Sequence, residues 1–119
     1  MTHFSLETLR TIDGYVASAL VDDDSGMLMA GDSNASIDLE MAAAGNAEVV
    51  RAKRKVAAAL KLNDTIEDIL ISLERQYHLI RPLATNKHVF LYVIIDRQKS
   101  NLAMARHHLK AFEKTLDFS

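Results

Sequence analysis

The chain has 119 residues, a net charge of −2 from fourteen basic and sixteen acidic side chains, and no cysteine. That length suits a single domain over 1–119 that buries roughly two-thirds of its unfolded surface without staples, and the missing cysteine excludes disulfides, thiolate metal sites and cysteine nucleophiles. The N-terminus shows no signal-peptide pattern and the longest apolar run is too short for a membrane span, so a soluble cytoplasmic protein with no membrane insertion is expected.

Ser5 is placed to cap a short helix that carries Leu6, Leu9 and Ile12 on one side, with Gly14 as its left-handed terminator. Tyr15 to Val21 is β-compatible. Asp22-Asp23-Asp24-Ser25-Gly26 supplies turn chemistry, and Met27 to Ala30 resumes an apolar run, which together make a β-hairpin. After a polar loop from Gly31 to Ala35, Ser36 is the expected N-cap of a long helix running to about Leu62, with Asp38 and Glu40 at its positive end. This helix is rich in alanine. Leu39, Ala42, Val49, Val56 and Leu60 fall on one stripe that Asn46 and Lys53 interrupt, while Glu48, Arg51, Arg54 and Lys55 make a charged opposite face. Asn46 and Lys53 either set register between two copies of the helix or sit at its wet margin. Asn63-Asp64 ends it.

Three strands are expected next, near Thr65 to Leu73, Gln76 to Leu83 and His88 to Ile95, joined by connectors short enough to force antiparallel neighbours. Pro82 falls at a strand end, where its missing N–H costs least. Val89 to Ile95 is apolar throughout, which requires burial on both faces. The helix after Asn101 repeats Leu102, Ala105, Leu109, Phe112 and Leu116 at steps of three and four, a single stripe for packing on the sheet. The order α-β-β-α-β-β-β-α is an α+β arrangement, with helices for both faces of one antiparallel sheet.

This order, and three local patterns, resemble the roadblock/LC7 family, whose layout is profilin-like. The patterns are Gly14 to Asp22 leading through Ser25-Gly26 to Met27-Leu28-Met29-Ala30, the strand Phe90 to Ile95 ending in Asp96, and the helix start Asn101-Leu102-Ala103-Met104-Ala105-Arg106. The resemblance implies a five-stranded antiparallel sheet sandwiched between the long helix on one face and the two terminal helices on the other. It also implies a homodimer joined through the edge strand Ile66 to Leu73 and the long helix. The residues expected in that contact are Leu39, Asn46, Val49, Lys53, Val56, Ile69, Leu70 and Ile71. Independently, Ile69-Leu70-Ile71 is an apolar edge without a proline or lysine guard, a liability unless a second copy or another part of the same chain covers it.

No catalytic, cofactor or metal site is expected. Asp22 to Asp24 has neither EF-hand spacing nor a downstream bidentate glutamate and reads as a turn. His3, His78, His88, His107 and His108 form no spaced pair on one helical face with a third ligand nearby. Arg51-Ala52-Lys53-Arg54-Lys55 resembles an anion-binding run, but without surface aromatics and in a slightly acidic chain it favours a solvated face or a protein contact over nucleic acid. Arg51, Arg54 and Lys55 are therefore candidates for partner binding. Residues 1 to 50 carry nine carboxylates and one arginine, against seven acidic and thirteen basic residues from 51 to 119. Such asymmetry can orient a partner or a second copy, or simply be dispersed solvated charge. With no phosphate loop and no nucleophile elbow, the chain is not expected to be an enzyme. The expectation is an interaction module that scaffolds or regulates a partner, by resemblance a Ras-like small GTPase or a motor-associated complex. The alternative is a ligand sensor, with Tyr15, Tyr77, Tyr92 and the five methionines lining an apolar pocket between sheet and helices.

Overall fold

The computed structural model describes residues 4–118 and contains one five-stranded antiparallel sheet in the order β2-β1-β5-β4-β3. The strands are β1 (Tyr15–Asp22), β2 (Leu28–Ser33), β3 (Ile69–Ser72), β4 (Gln76–Pro82) and β5 (Val89–Asp96). Helix α1 (Leu39–Ala59) precedes β3, and α2 (Leu102–Glu113) closes the chain. The expected α+β sandwich is therefore present, with β5 at the centre.

β5 is buried along its length because each face of the sheet carries its own core. Val89, Leu91, Val93 and Ile95 join Leu9, Leu79, Ala105, Leu109 and Phe112 on one side. Phe90, Tyr92 and Ile94 join Ala17, Ala19, Val21, Ala43, Ala47 and Val50 on the other. The two-residue period of a strand sends alternate side chains to opposite layers, so a strand between two helical layers is apolar throughout. Each large aliphatic side chain buried this way stabilises the fold by about 1.5–3 kcal/mol.

α2 begins where the sequence places it, with the Asn101 side chain accepting a hydrogen bond from the Met104 amide at 3.1 Å. Ala105, Leu109 and Phe112 are buried, and Leu102 and Leu116 pack at the margin, so the five-residue stripe lands on the sheet as expected. The first helical segment is a short 3₁₀ turn, Glu7–Thr11, rather than an α-helix, although Leu6, Leu9 and Ile12 are all buried beneath it. Ser5 is not its N-cap. Leu6 takes that position, and the Glu7 amide only approaches Ser5 Oγ at 3.4 Å. Gly14 does turn left-handed, at φ +78°, and a Cβ there would lie 2.9 Å from the Asp96 carbonyl oxygen.

Several boundaries differ from the sequence reading, among them the end of α1, which stops at Ala59 with Leu60 as its C-cap instead of running to about Leu62. Asp38, not Ser36, caps α1 by accepting a hydrogen bond from the Met41 amide at 3.0 Å. β2 continues through Gly31 and Asp32 to Ser33, because pairing with β1 extends to Ala17. β3 is only four residues long, since its pairing with β4 begins at Ile69↔Ile80 and stops short of Pro82, whose nitrogen has no hydrogen to donate.

Candidate interaction surface

β3 lies at an open edge of the sheet. It pairs with β4 through Ile69↔Ile80, Leu70↔Leu79, Ile71↔His78 and Ser72↔Tyr77, and among the described residues no strand pairs with its other side. Ile69 and Ile71 turn toward the α1 layer and Leu70 toward the α2 layer, and all three remain half-exposed. Neither proline nor lysine guards this edge.

α1 meets the sheet with an arc different from the expected stripe. Ala43, Ala47 and Val50 are its buried residues, and these small side chains let the helix approach β1 and β2 closely. Leu39 and Ala42 are only half-buried, while Val49, Val56 and Leu60 are 37%, 47% and 62% exposed. At about 100° per residue, this second apolar set lies on one flank of α1, with Gly45 and Ala52 beside it. A Cβ on Gly45 would have no neighbour within 4 Å. The sequence periodicity did detect an apolar stripe. It could not show that the helix has two apolar arcs and that its alanines, with a little valine, take the one facing the sheet.

A polar chain marks where that flank points. Tyr92 Oη lies 2.7 Å from His78 Nδ1, and His78 Nε2 lies 2.9 Å from Gln76 Oε1. With a carbonyl oxygen at Nε2, that nitrogen donates, and in the neutral ring Nδ1 then accepts from the phenol. Burial also pushes the His78 pKa down and the Tyr92 pKa up, the latter offset in part by a hydrogen bond to the Asn46 side chain. Asn46 thus faces the sheet beside Tyr92, while Lys53 stays in solvent. Asn46, Tyr92, His78 and Ile71 run from α1 across β5 and β4 to β3. The exposed apolar flank of α1 therefore looks toward the open sheet edge.

The cationic run on α1 is tied largely within the chain. Arg54 forms an ion pair with Asp23, a carboxylate only 2% exposed, and its other nitrogen donates to the Lys87 carbonyl at 3.3 Å. Arg51 donates to the Asp23 carbonyl at 2.6 Å. These two arginines hold the β1–β2 turn to α1, and Lys55 remains exposed. Within the turn, Asp22 Oδ1 accepts from the amides of Asp24 and Ser25 at 2.9 and 3.3 Å, as turn chemistry requires.

The fold makes one grouping that was invisible in the sequence. Asp23, Asp24 and His88 bring ligand atoms within 4.8 Å of one another, although His88 is far along the chain. Asp23 is already neutralised by Arg54, and the exposed pair Asp24–His88 is 3.4 Å apart. His107 and His108 stack edge-on beside each other on α2, and His3 lies outside the described residues. Nearby, an open groove of about 1110 Å³ separates Arg54, Ala57 and Ala58 from residues 63–67 and from Arg81 to Ala84. It sits at one end of the sandwich and its rim carries charges of both signs, including Asp64, Glu67 and Lys87. On its floor side Arg81 pairs with Glu113 at 2.9 Å, and both side chains are buried. Glu113 also accepts from the Ala84 and Thr85 amides at 2.9 and 3.3 Å, which fastens the end of α2 to the β4–β5 turn.

The expected pocket lining is not assembled. Met27, Met29, Met41 and Met104 are all exposed, Met1 lies outside the described residues, and Tyr15 and Tyr92 are packed in separate cores. Among the described residues, no helix is long and apolar enough to cross a membrane.

No protein-family profile matches the chain, and no curated protein does. Solved structures do. A roadblock/LC7 domain from Streptomyces avermitilis superposes with a TM-score of 0.80 over 92% of this chain and 88% of its own, at 12% identity. Myxococcus xanthus MglB gives 0.74 over 84% and 78%, at 21% identity. The gliding protein MglB of Thermus thermophilus gives 0.75 over 91% and 79%, at 19% identity. The chain has the roadblock/LC7 fold.

Proposed function

We propose that the chain is a noncatalytic homodimeric module that scaffolds or regulates a protein partner, with a Ras-like small GTPase as the client that the family resemblance implies. The observation that carries this reading is the continuity of two unfinished surfaces, the exposed apolar flank of α1 and the open β3 edge it looks toward. A strand with unpaired backbone groups beside an apolar helix flank matches what a two-fold contact needs, since one patch then completes itself.

The charge on α1 selects the direction of that pairing. Glu40 and Glu48 lie in its first half, whereas Lys53, Lys55 and, just beyond its end, Lys61 lie in the second. Two copies running antiparallel place acidic halves against basic halves, and a parallel pair places like charges together. The flank itself packs as Gly45, Val49, Ala52 and Val56, at steps of three and four. Ile69, Leu70 and Ile71 complete the contact through β3–β3 pairing. Leu39 and Asn46 support it from beneath, and Lys53 lies at its edge. Lys55 stays available at the rim for a partner, while Arg51 and Arg54 serve first to hold the β1–β2 turn.

Sedimentation equilibrium tests the dimer, with Glu48→Lys weakening it and the double variant Glu48→Lys, Lys53→Glu restoring it. A monomer at micromolar concentration overturns the reading. For the client, Ras-like GTPases from the same genome are assayed for binding and for changed hydrolysis. Binding that depends on the bound nucleotide supports regulation, and binding that ignores it supports a scaffold.

A further inference from the structure

The grouping of Asp23, Asp24 and His88 differs from a run of surface carboxylates. It includes an imidazole nitrogen, and its first member is buried. Asp23 is 2% exposed, yet Arg54 takes only its Oδ2, and among the described residues no hydrogen bond reaches Oδ1. Asp24 and His88 are exposed, with His88 Nδ1 standing 3.4 Å from Asp24 Oδ2. That separation lies beyond the usual N–H···O range of about 2.7–3.2 Å. It matches instead the edge of a zinc tetrahedron, whose nitrogen and oxygen ligands, about 2.0–2.2 Å from the ion, lie about 3.3–3.5 Å from each other. A carboxylate oxygen of Asp23 falls within 4.8 Å of both atoms, so the two exposed side chains can close on an ion by rotation. The backbone already joins the two turns that carry them. The Asp23 amide donates to the His88 carbonyl at 2.8 Å, and the His88 amide donates to Asn86 Oδ1 at 3.0 Å.

We infer that Asp23, Asp24 and His88 form a zinc site that clips the β1–β2 turn to the β4–β5 turn, with water as the fourth ligand. One imidazole nitrogen with two carboxylate oxygens suits zinc, whereas calcium and magnesium take oxygen ligands. The three residues line the open groove, so the fourth position faces solvent. Because Arg54 offsets one carboxylate and two ligands are exposed, the affinity expected is micromolar rather than that of a closed structural site. The site uses neither the β3 edge nor the exposed apolar flank of α1, so it is independent of the proposed dimer.

The test is calorimetric titration of the full chain with zinc chloride in a non-coordinating buffer. One zinc ion per chain is expected, with a Kd of about 1–10 µM. Zinc at about a hundred times that Kd is expected to raise the unfolding midpoint by about 5–10 °C. His88→Ala and Asp24→Asn each weaken binding at least about tenfold and reduce the shift. Both side chains are exposed, so neither variant changes the midpoint without zinc. His107→Gln, on α2, leaves binding unchanged, and magnesium does not bind at the same concentration. No heat and no shift of the midpoint at about 100 µM zinc, equal binding of magnesium, or a loss with His107→Gln equal to that with His88→Ala overturns the inference. So does zinc binding that His88→Ala and Asp24→Asn both leave intact, which assigns the ion to other side chains.

Discussion

The two helical layers of this sandwich use their apolar residues differently. α2 places its stripe of Ala105, Leu109 and Phe112 on the sheet and leaves Ala103, Met104, His107 and Lys110 to solvent. α1 buries only Ala43, Ala47 and Val50, and keeps Val49, Val56 and Leu60 outside. α2 places its apolar stripe in one core, whereas α1 closes one core and leaves a second apolar set exposed. A helix whose apolar residues exceed what its own sheet accepts has surface left for association.

The comparison is broken most severely on the closed side. Glu113→Ala leaves Arg81 buried without its partner and removes the acceptor of two turn amides, and this is expected to cost about 3–5 kcal/mol in urea unfolding. Leu109→Ala is expected to cost about 2–5 kcal/mol by opening a cavity in the same layer. Neither loss is expected to originate in association, so extrapolation to the dissociated chain should retain both. A loss below about 1 kcal/mol in both would mean that the α2 layer is not the packed one.

On the α1 side the expected effect has another form. Val56→Glu should raise the dimer dissociation constant at least about a hundredfold, worth roughly 2.7 kcal/mol of association, because a charge would enter an apolar contact. Circular dichroism of the dissociated chain should stay unchanged, since Val56 is 47% exposed before any pairing. Unfolding of the monomer by this substitution would show that the flank packs within the chain.

The same difference explains what was legible from residues alone. α2, β5 and the hairpin were readable because each carries one pattern with one solution: a single stripe, a continuous apolar run, and a turn whose Asp22 side chain binds two amides. α1 was not readable to the same degree. Alanine serves equally on a buried arc and on an exposed one, so periodicity could not choose between Ala43-Ala47-Val50 and the flank of Val49 and Val56. Asn46 read as an interruption of a stripe, whereas it sits under the helix beside Tyr92, a partner 46 residues away. The Arg51–Asp23, Arg54–Asp23 and Arg81–Glu113 contacts were likewise invisible, since long-range ion pairs leave no local spacing. The edge residues Ile69 to Ile71 were found because an unguarded apolar strand is a local signal.

Gly14 sharpens the comparison at the seam where the chain enters the sheet. Gly14→Ala should cost about 1–3 kcal/mol, because alanine at φ +78° is strained and its Cβ would press on the Asp96 carbonyl oxygen at 2.9 Å. Asp96 ends the central strand, so the loss should appear in folding and not in the dimer dissociation constant. Equal thermal stability of the two proteins would show that the turn relaxes without moving β5.

The smallest effect expected is one of pH, and it separates the two layers by the groups that titrate in each. His78, below α1, has its pKa lowered by burial. The unfolded chain therefore binds a proton more readily, and the stability associated with neutral His78 is complete above the unfolded value of about 6.5 and is lost as pH falls from there through the folded value. Asp32, at the rim of the other layer, has its pKa lowered first by hydrogen bonding from Arg10, whose Nε donates at 2.9 Å, and further by Tyr15. Its contribution persists to more acidic pH and disappears only below about 4, as the pH falls through the lowered carboxylate value. Unfolding curves measured across this range should show two successive losses. His78→Gln should flatten the first and spare the second, and Asp32→Asn should remove the second while leaving the first. If His78→Gln leaves the upper loss intact, the Tyr92–His78–Gln76 chain does not hold a neutral histidine, and the polar path from α1 to the β3 edge loses its electrostatic role.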